Sequence, residues 1–323
     1  MYAVLGVCVA LAAFAAATLL ASVALAAAWP AFAWMAGRAP AAARARLLLT
    51  LRALPAAIGA IAATALASRA WLAFEPRQPP ESLGAPLLAV AAAGLLLLMV
   101  AGRRAWRSWR AGRDLSRRWM SEGRAVELPG VALPSYRIAH PWPVVCVVGT
   151  LRPRLFVAEA VLQSCTRDEL ASVLAHESGH VAARDNLKRL LLKVLPDVLP
   201  WISSGRALDK AWETASEAAA DARAAGARPG AGLDLAAALV RVARLAASGA
   251  WVELPARALL DGGSVAPRVK RLLEEDPAPT GRPRLAVAWA LLLALPAALL
   301  LSSHEPSVLR TVQQAAEILV QAR

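Results

Sequence analysis

The sequence contains few of the residues from which a disulfide framework or a cysteine-ligated metal site is built. Its three cysteines, Cys8, Cys146 and Cys165, are an odd number and show no CxxC spacing. Disulfide scaffolds and cysteine-based zinc sites need paired cysteines, often at short intervals. We therefore predict that these cysteines are buried or free thiols in a reducing compartment.

Charge is absent from the beginning of the chain, where Arg38 is the first charged side chain. A secretory signal peptide begins with a basic segment, so a cleaved leader is disfavoured. The long apolar run instead predicts a membrane-spanning helix over about 2–37, tilted or broken at Pro30. Further apolar runs predict spans at about 47–74, 85–102 and 283–303.

The charge that is present is strongly basic, with 36 Lys and Arg against 23 Asp and Glu and a net charge of +13. Nucleic-acid binding is disfavoured because no recognition motif accompanies the arginines, which cluster at the ends of the apolar runs. Arginines in such positions mark the cytoplasmic side of a membrane protein. We therefore predict a multi-pass protein of a bacterial-type cytoplasmic (inner) membrane, with its lipid bilayer as one partner and no nucleic acid.

This charge distribution also predicts the topology. Residues 103–282 would form a cytoplasmic region, both termini would be extracytoplasmic, and residues 304–323 would form a short outer tail. The proline-rich connection at 75–84 would lie outside. Arginines and tryptophans alternate over 103–119, which favours a juxtamembrane helix against anionic headgroups, with a solvated basic helix as the alternative.

The predicted cytoplasmic region begins with short β-branched and aromatic runs over 126–159, separated by Pro and Gly, which predict a small antiparallel sheet. Helices are predicted over 207–225, 235–247 and 265–275, with a turn at 203–205. The interrupted apolar segment 187–202 is predicted to lie on the sheet or the membrane surface, and a re-entrant segment is the alternative.

The most specific motif is HExxH, formed by His176, Glu177 and His180. Thr166 and Glu169 form a capping-box pattern that predicts a helix through the motif. The two histidines are then one turn apart on one face, where both can bind one metal ion. Glu177 would hold and deprotonate a water molecule beside that ion.

A catalytic zinc ion needs a third protein ligand and an open position. The best candidate is Glu217, within SEAAAD on the predicted alanine-rich helix, while Glu213 is a weaker one. Asp221 lies one turn after Glu217 and could orient a ligand histidine, and Asp185 suits the same supporting role. Zn²⁺ is therefore the predicted cofactor.

Several local sequences resemble the BlaR/MecR-type membrane zinc metallopeptidases: VVGTLRPRLFVAEAVL, DELASVLAHESGHVAARDNL, SEAAADARA and PRVKRLLEE. The resemblance implies that His176, His180 and Glu217 bind zinc and that Glu177 is the catalytic base. Family members that sense β-lactams carry a large extracellular penicillin-binding domain after the last span, whereas this sequence has only a short tail there. We therefore do not expect direct β-lactam sensing. The pattern is more distantly similar to HtpX and CAAX-type membrane proteases.

We therefore expect a mainly α membrane protein with four transmembrane helices and a zincin-like α+β metalloprotease domain. The predicted activity is that of a gluzincin-like zinc endopeptidase that cuts a cytoplasmic or membrane-associated protein or peptide. A sensor protein or a second copy of the chain is a further predicted partner. The alternatives are an HtpX/CAAX-like quality-control or processing protease, and a non-catalytic metal-containing transducer or scaffold. A transporter is disfavoured because the spans contain no acidic pair.

Overall fold

A computed structural model of the protein describes residues 1–76, 84–247, 265–274 and 282–321. The first helices are α1 (Tyr2–Ala36), α2 (Ala41–Ile61), α3 (Ser68–Phe74), α4 (Ala85–Glu122), α5 (Glu159–Ser164) and α6 (Arg167–Ala182). The later helices are α7 (Asp185–Val194), α8 (Ser203–Ala225), α9 (Ala231–Ala247), α10 (Val265–Leu273), α11 (Arg282–Ser302) and α12 (Pro306–Gln321). A 3₁₀ turn covers Leu199–Trp201.

Among the described residues, four helical segments are long and apolar enough to cross a membrane, namely Tyr2–Ala36, Ala41–Phe74, Ala85–Glu122 and Arg284–Ser302. They occur where the apolar runs predict spans. Helix α1 continues through Pro30 without a break. The second segment is continuous because the π-helical turn Ala62–Ala67 joins α2 to α3. Most of the predicted connection 75–84 lies outside the described residues, as do the ends of the predicted segments at 275 and 323.

Helix α4 is longer than the apolar run from which it was predicted. It has 38 residues and does not end near 102. The arginine-rich segment continues the same helix to Glu122, because Arg and Ala have high helix propensity and Gly102 and Gly112 are tolerated. The predicted juxtamembrane helix is therefore the second half of α4.

Small residues allow the apolar helices to approach one another closely. A Cβ atom on Gly59 would lie 2.0 Å from Thr18 Oγ1, and one on Gly94 would lie 2.4 Å from the Leu11 carbonyl oxygen. Such contacts replace the hydrophobic driving force that helices lack inside a bilayer. The three cysteines are free thiols, as predicted.

The sheet contains β1 (Arg124–Ala125), β2 (Ser135–Ile138), β3 (Val145–Val148) and β4 (Arg154–Ala158), in the order β1-β2-β4-β3. The prediction of a purely antiparallel sheet is wrong, because β2 and β4 are parallel. Strand β3 turns at Gly149, whose φ is +105°, and pairs antiparallel with β4 at the edge of the sheet. Strands β2 and β3 therefore run in opposite directions, and the link between them stays at one end of the sheet and passes the position of β4.

Helix α8 contacts both the apolar helices and the helices that pack near the sheet. It begins at Ser203, so the turn predicted at 203–205 is wrong. Gly205 permits this start, since a Cβ atom there would lie 2.1 Å from the Leu199 carbonyl oxygen. The first half of α8 packs against α2, where Trp212 joins a buried cluster with Leu48 and Leu51. The second half of α8 faces α6 and α9.

A buried ion cluster lies at this junction. Arg52 of α2 is 1% exposed, and its guanidinium donates to Asp197 and, at 2.8 Å, to Asp209 of α8. A long cationic side chain near the end of an apolar run can extend to the membrane surface, but the Arg52 side chain is instead buried against these two carboxylates. Helix α7, which precedes this cluster, packs against α4 and α2. The predicted amphipathic segment 187–202 thus lies partly against α4 and α2.

Candidate metal centre

The two histidines of HExxH face each other across one turn of α6. Thr166 accepts a hydrogen bond from the Glu169 backbone N–H, and the Glu169 carboxylate accepts one from the Thr166 N–H. This capping box starts the helix as predicted. The Nε2 atoms of His176 and His180 lie 3.2 Å apart, and both side chains are buried.

Helix α8 brings a carboxylate to the same point. Glu217 Oε2 lies 3.6 Å from His176 Nε2, and Glu217 Oε1 lies 3.4 Å from His180 Nε2. The approach of the two helices is close because Gly179 of α6 faces Ala220 of α8, where an added Cβ atom would lie 3.4 Å from the Ala220 Cα. The alanine-rich sequence thus serves to place Glu217.

These three side chains fit a zinc ion. Ligand atoms about 2.0–2.1 Å from a tetrahedral zinc ion lie about 3.3 Å from each other. The separations of 3.2, 3.4 and 3.6 Å between His176, His180 and Glu217 are close to that value. Two imidazoles and one carboxylate are also a donor set that zinc accepts. Among the described residues, the group has these three members, which leaves one tetrahedral position open.

Asp185 supports His180. Its Oδ2 atom lies 2.8 Å from His180 Nδ1 and accepts a hydrogen bond from Ser216 of α8 at 2.7 Å. Lys188 donates to the other carboxylate oxygen at 3.0 Å. A carboxylate on Nδ1 fixes the tautomer that leaves Nε2 free to bind a metal. Asp185 thus lies where the sequence places a supporting residue.

Asp221 occupies the equivalent position beside His176, with its Oδ1 atom 3.0 Å from His176 Nδ1. This contact is short but lies outside hydrogen-bond geometry. Arg268 of α10 holds the Asp221 carboxylate with two hydrogen bonds of 3.0 and 2.6 Å. Arg268 is also 3.5 Å from Glu217 Oε2, so it contacts a candidate ligand and a supporting carboxylate.

No sequence pattern predicts two arginines of this centre, Arg268 and Arg189. Arg189 of α7 lies 3.4 Å from Glu217 Oε1. Both are common residues in amphipathic helices, and neither is at a fixed spacing from HExxH. The only available signal was the presence of Arg268 in PRVKRLLEE, one of the segments that carry the family resemblance.

The electrostatics of the group favour a positive charge between the two imidazoles and Glu217. Burial opposes a charge on His180, but the hydrogen bond with Asp185 and the Glu217 carboxylate raise its pKa to about 9. Burial similarly opposes a charge on His176, yet Asp221 and Glu217 raise its pKa above the usual value. Burial would raise the pKa of Glu217, but the two neighbouring histidines hold it well below its usual range. A bound cation would occupy the place of these protons.

Glu177 differs from the other carboxylates. It is 6% exposed, and burial raises its pKa above the ordinary value, an effect that the neighbouring histidines partly offset. Its side chain lines the same cleft as both histidines and Glu217. A carboxylate with a raised pKa accepts a proton more readily than an exposed one.

The cleft has a volume of about 1100 Å³. Its walls are the second half of α4, the turn between β3 and β4, α7 and α8. Asn186 stabilises the turn by donating to the carbonyl oxygens of Val147 and Gly149 at 2.9 and 3.0 Å. The chain segment that follows HExxH is thereby attached to the edge of the sheet.

The two histidines outside the motif, His140 and His304, lie away from the candidate metal group. His140 Nδ1 is 3.1 Å from the backbone nitrogen of Trp142, and its ring packs edge-on against Trp119. His140, Arg223 and His304 are not among the residues that line the cleft within the described part of the chain. Glu213 lines the cleft but is not a member of the three-residue group.

Comparison with known families agrees with this geometry. Residues 147–245 match the family model of Peptidase family M48. This is a family of zinc metallopeptidases, and the match suggests metallopeptidase activity. The matched region contains HExxH and Glu217 but not Arg268. No curated protein and no solved structure matches the chain. The likeness to metallopeptidases is thus supported, while the finer likeness to the BlaR/MecR type stays a prediction.

Removal of the Arg268 guanidinium is expected to weaken zinc binding. Arg268→Leu leaves Asp221 without its two hydrogen bonds, so that Asp221 no longer has a fixed position beside His176. Removal of a side chain that supports the metal ligands typically lowers metal affinity by about 10–100-fold. Competition with a chromophoric chelator would measure the change. Lys270→Leu, at an exposed position of the same helix, is the matched control; equal affinities in both variants would contradict the supporting role.

Proposed function

We propose that the protein is an integral membrane zinc endopeptidase that hydrolyses peptide bonds of a cytoplasmic or membrane-associated protein. The observation that carries the proposal is the tetrahedral spacing of the His176, His180 and Glu217 ligand atoms at the wall of an open cleft. The match to Peptidase family M48 supports it. The arginine excess at the ends of the apolar helices supports a cytoplasmic location for the site.

In this proposal His176, His180 and Glu217 hold the metal, and Asp185 and Asp221 orient the two imidazoles. A zinc ion held there would polarise the carbonyl group of the scissile bond and lower the pKa of a coordinated water molecule to about 7. The side chains need little rearrangement because their ligand atoms already lie within 4.8 Å of one another.

Glu177 moves the proton. Its carboxylate accepts one from the attacking water and later donates it to the amine that leaves. The raised pKa of Glu177 suits the first step, because a carboxylate with an ordinary pKa would take up the proton less readily. The protonated carboxyl group is still acidic enough to donate to the leaving amine. The position of Glu177, directly after His176 on α6 and in the wall of the same cleft, supports this role.

The alternative is a protein that is not an enzyme, namely a scaffold that uses the metal only for folding. Structural zinc sites are usually closed by four protein ligands. The candidate group has three members within the described residues and borders an open cleft, which supports the enzyme over the scaffold.

The proposal is tested by metal content and by reversible loss of activity. We expect about one zinc ion per chain and cleavage of an unfolded protein such as casein by the full chain in detergent. Removal of zinc with 1,10-phenanthroline should abolish cleavage, and stoichiometric zinc should restore it, because the metal supplies the electrophile. Zinc bound at this stoichiometry without any cleavage of proteins or peptides would favour the scaffold.

A further inference from the structure

The part of the cleft that lies away from the candidate metal ligands is lined by positively charged side chains. Cationic side chains line the cleft from α4, from the turn between β3 and β4, from the first residue of β4 and from α7. They are Arg104, Arg113, Arg117, Arg152, Arg154 and Lys193. A groove lined by one sign of charge raises the local concentration of ligands of the opposite sign.

At least three of these cations form no ion pair within the described part of the chain. Arg113, Arg152 and Arg154 have no carboxylate within 4.0 Å in the described part of the chain. The guanidinium of Arg113 lies over the Trp109 ring, 5.2 Å from its centroid, which leaves its charge available. Arg117, in contrast, pairs with Asp114 at 3.0 Å.

The acidic residues of the cleft do not compensate for this charge. Glu177 and Glu217 belong to the candidate metal centre, and Asp209 pairs with the buried Arg52. Among the described lining residues, this leaves Glu213 as the one acid outside these groups. The outer part of the cleft therefore presents excess positive charge to a ligand that reaches the metal.

The size of the cleft favours a polymeric ligand. Its volume of about 1100 Å³ exceeds the roughly 300–1,000 Å³ that is usual for small-molecule sites. Apolar side chains, including Leu115, Met120 and Leu190, lie between the cations. Bilayer headgroups would meet arginines on a flat outer surface, whereas these arginines share one cavity with the metal ligands. A polypeptide with both acidic and apolar side chains fits this arrangement better.

We propose that the cleft selects stretches of polypeptide that carry several Asp or Glu residues next to the bond that is cut. The inference rests on the proposed peptidase function, but it can be tested separately by binding. Arg152 and Arg154 would determine specificity from the β3–β4 side, and Arg113 would do so from α4.

The binding test uses the zinc-loaded full chain with Glu177→Gln, reconstituted in phosphatidylcholine nanodiscs. Three fluorescent peptides share one uncharged central segment and are flanked by four Glu, four Ser or four Lys residues. We expect the Glu peptide to bind at least about tenfold more tightly than the Ser peptide at about 0.05 M salt. The preference should largely disappear at about 0.5 M salt, because screening shortens the range of the attraction.

Charge reversal assigns the preference to the cleft. The variant Arg152→Glu/Arg154→Glu should reduce affinity for the Glu peptide at least about tenfold and leave affinity for the Ser peptide within about twofold. Arg118→Glu/Arg124→Glu is the matched control, since both arginines are exposed and lie outside the cleft. Arg113→Glu should act in the same direction and provides a test if the double variant fails to fold.

Equal binding of the three peptides would overturn the inference. It would also be overturned if the cleft arginines altered adsorption to phosphatidylserine vesicles but not peptide binding, since the cations would then serve lipid headgroups. Cleavage of the same peptides by the wild-type chain tests the endopeptidase proposal separately. Peptides that bind in the expected order but are never cut would support charge selection and contradict the endopeptidase proposal.

Discussion

Glu177→Gln is expected to lower kcat by about 10²–10⁴-fold while the zinc ion stays bound, as is usual when a general acid–base group is removed. Glutamine has nearly the same shape as glutamate but cannot take up a proton at neutral pH. Glu177 is not one of the three ligand residues, so the metal site itself is preserved. Turnover of a fluorogenic peptide and zinc content, measured on the same preparation, would show both effects.

The matched control for this variant is Glu213→Gln, which removes a carboxylate from the same cleft but not from the metal centre. It should retain activity within a few-fold. Undiminished turnover by Glu177→Gln would contradict the assignment of Glu177 as the base. Loss of zinc from that variant would instead indicate that Glu177 helps to hold the metal.

Arg52→Met is expected to cause a large loss of stability, about 3–5 kcal/mol, because it leaves buried carboxylates without their cation. Arg52 is 1% exposed, and so is Asp197, one of its two partners. Burial, the largest influence on these carboxyl groups, already raises the pKa values of Asp197 and Asp209 despite the presence of Arg52. The midpoint of thermal unfolding in detergent would show the loss.

Two further variants separate the ion cluster from general effects of losing an arginine. Arg69→Met changes an exposed arginine in the continuous helical segment that contains Arg52, and it should shift the midpoint little. Arg52→Met combined with Asp197→Asn and Asp209→Asn should recover much of the loss, since no buried charge then remains unpaired. An unchanged midpoint for Arg52→Met alone would show that the cluster contributes nothing to stability.

The candidate metal ligands could be predicted because their geometry is encoded over short distances. A four-residue spacing on a helix fixes which side chains share a face, and this applies to His176 and His180 as well as to Glu217 and Asp221. The capping box of Thr166 and Glu169 is equally local and was confirmed. The meeting of the two helices was inferred from zinc chemistry and from small side chains.

Contacts between distant segments could not be predicted in this way. Arg268 and Asp221 are 47 residues apart, and Arg52 and Asp197 are 145 apart, so no sequence spacing relates the partners. The parallel pairing of β2 and β4 was missed for a similar reason, since alternation of side chains does not specify strand direction. The end of α4 was missed because the end of an apolar run is not the end of a helix.

The unbroken course of α4 has a mechanical consequence. At 1.5 Å per residue its 38 residues extend about 57 Å, of which a bilayer core would enclose about 30 Å. The remaining part is a stiff arm that forms one wall of the cleft. A change of about 10° in the inclination of such an arm displaces its tip by about 5 Å. A change in the tilt of α4 is therefore expected to change the width of the cleft, because α4 forms one of its walls.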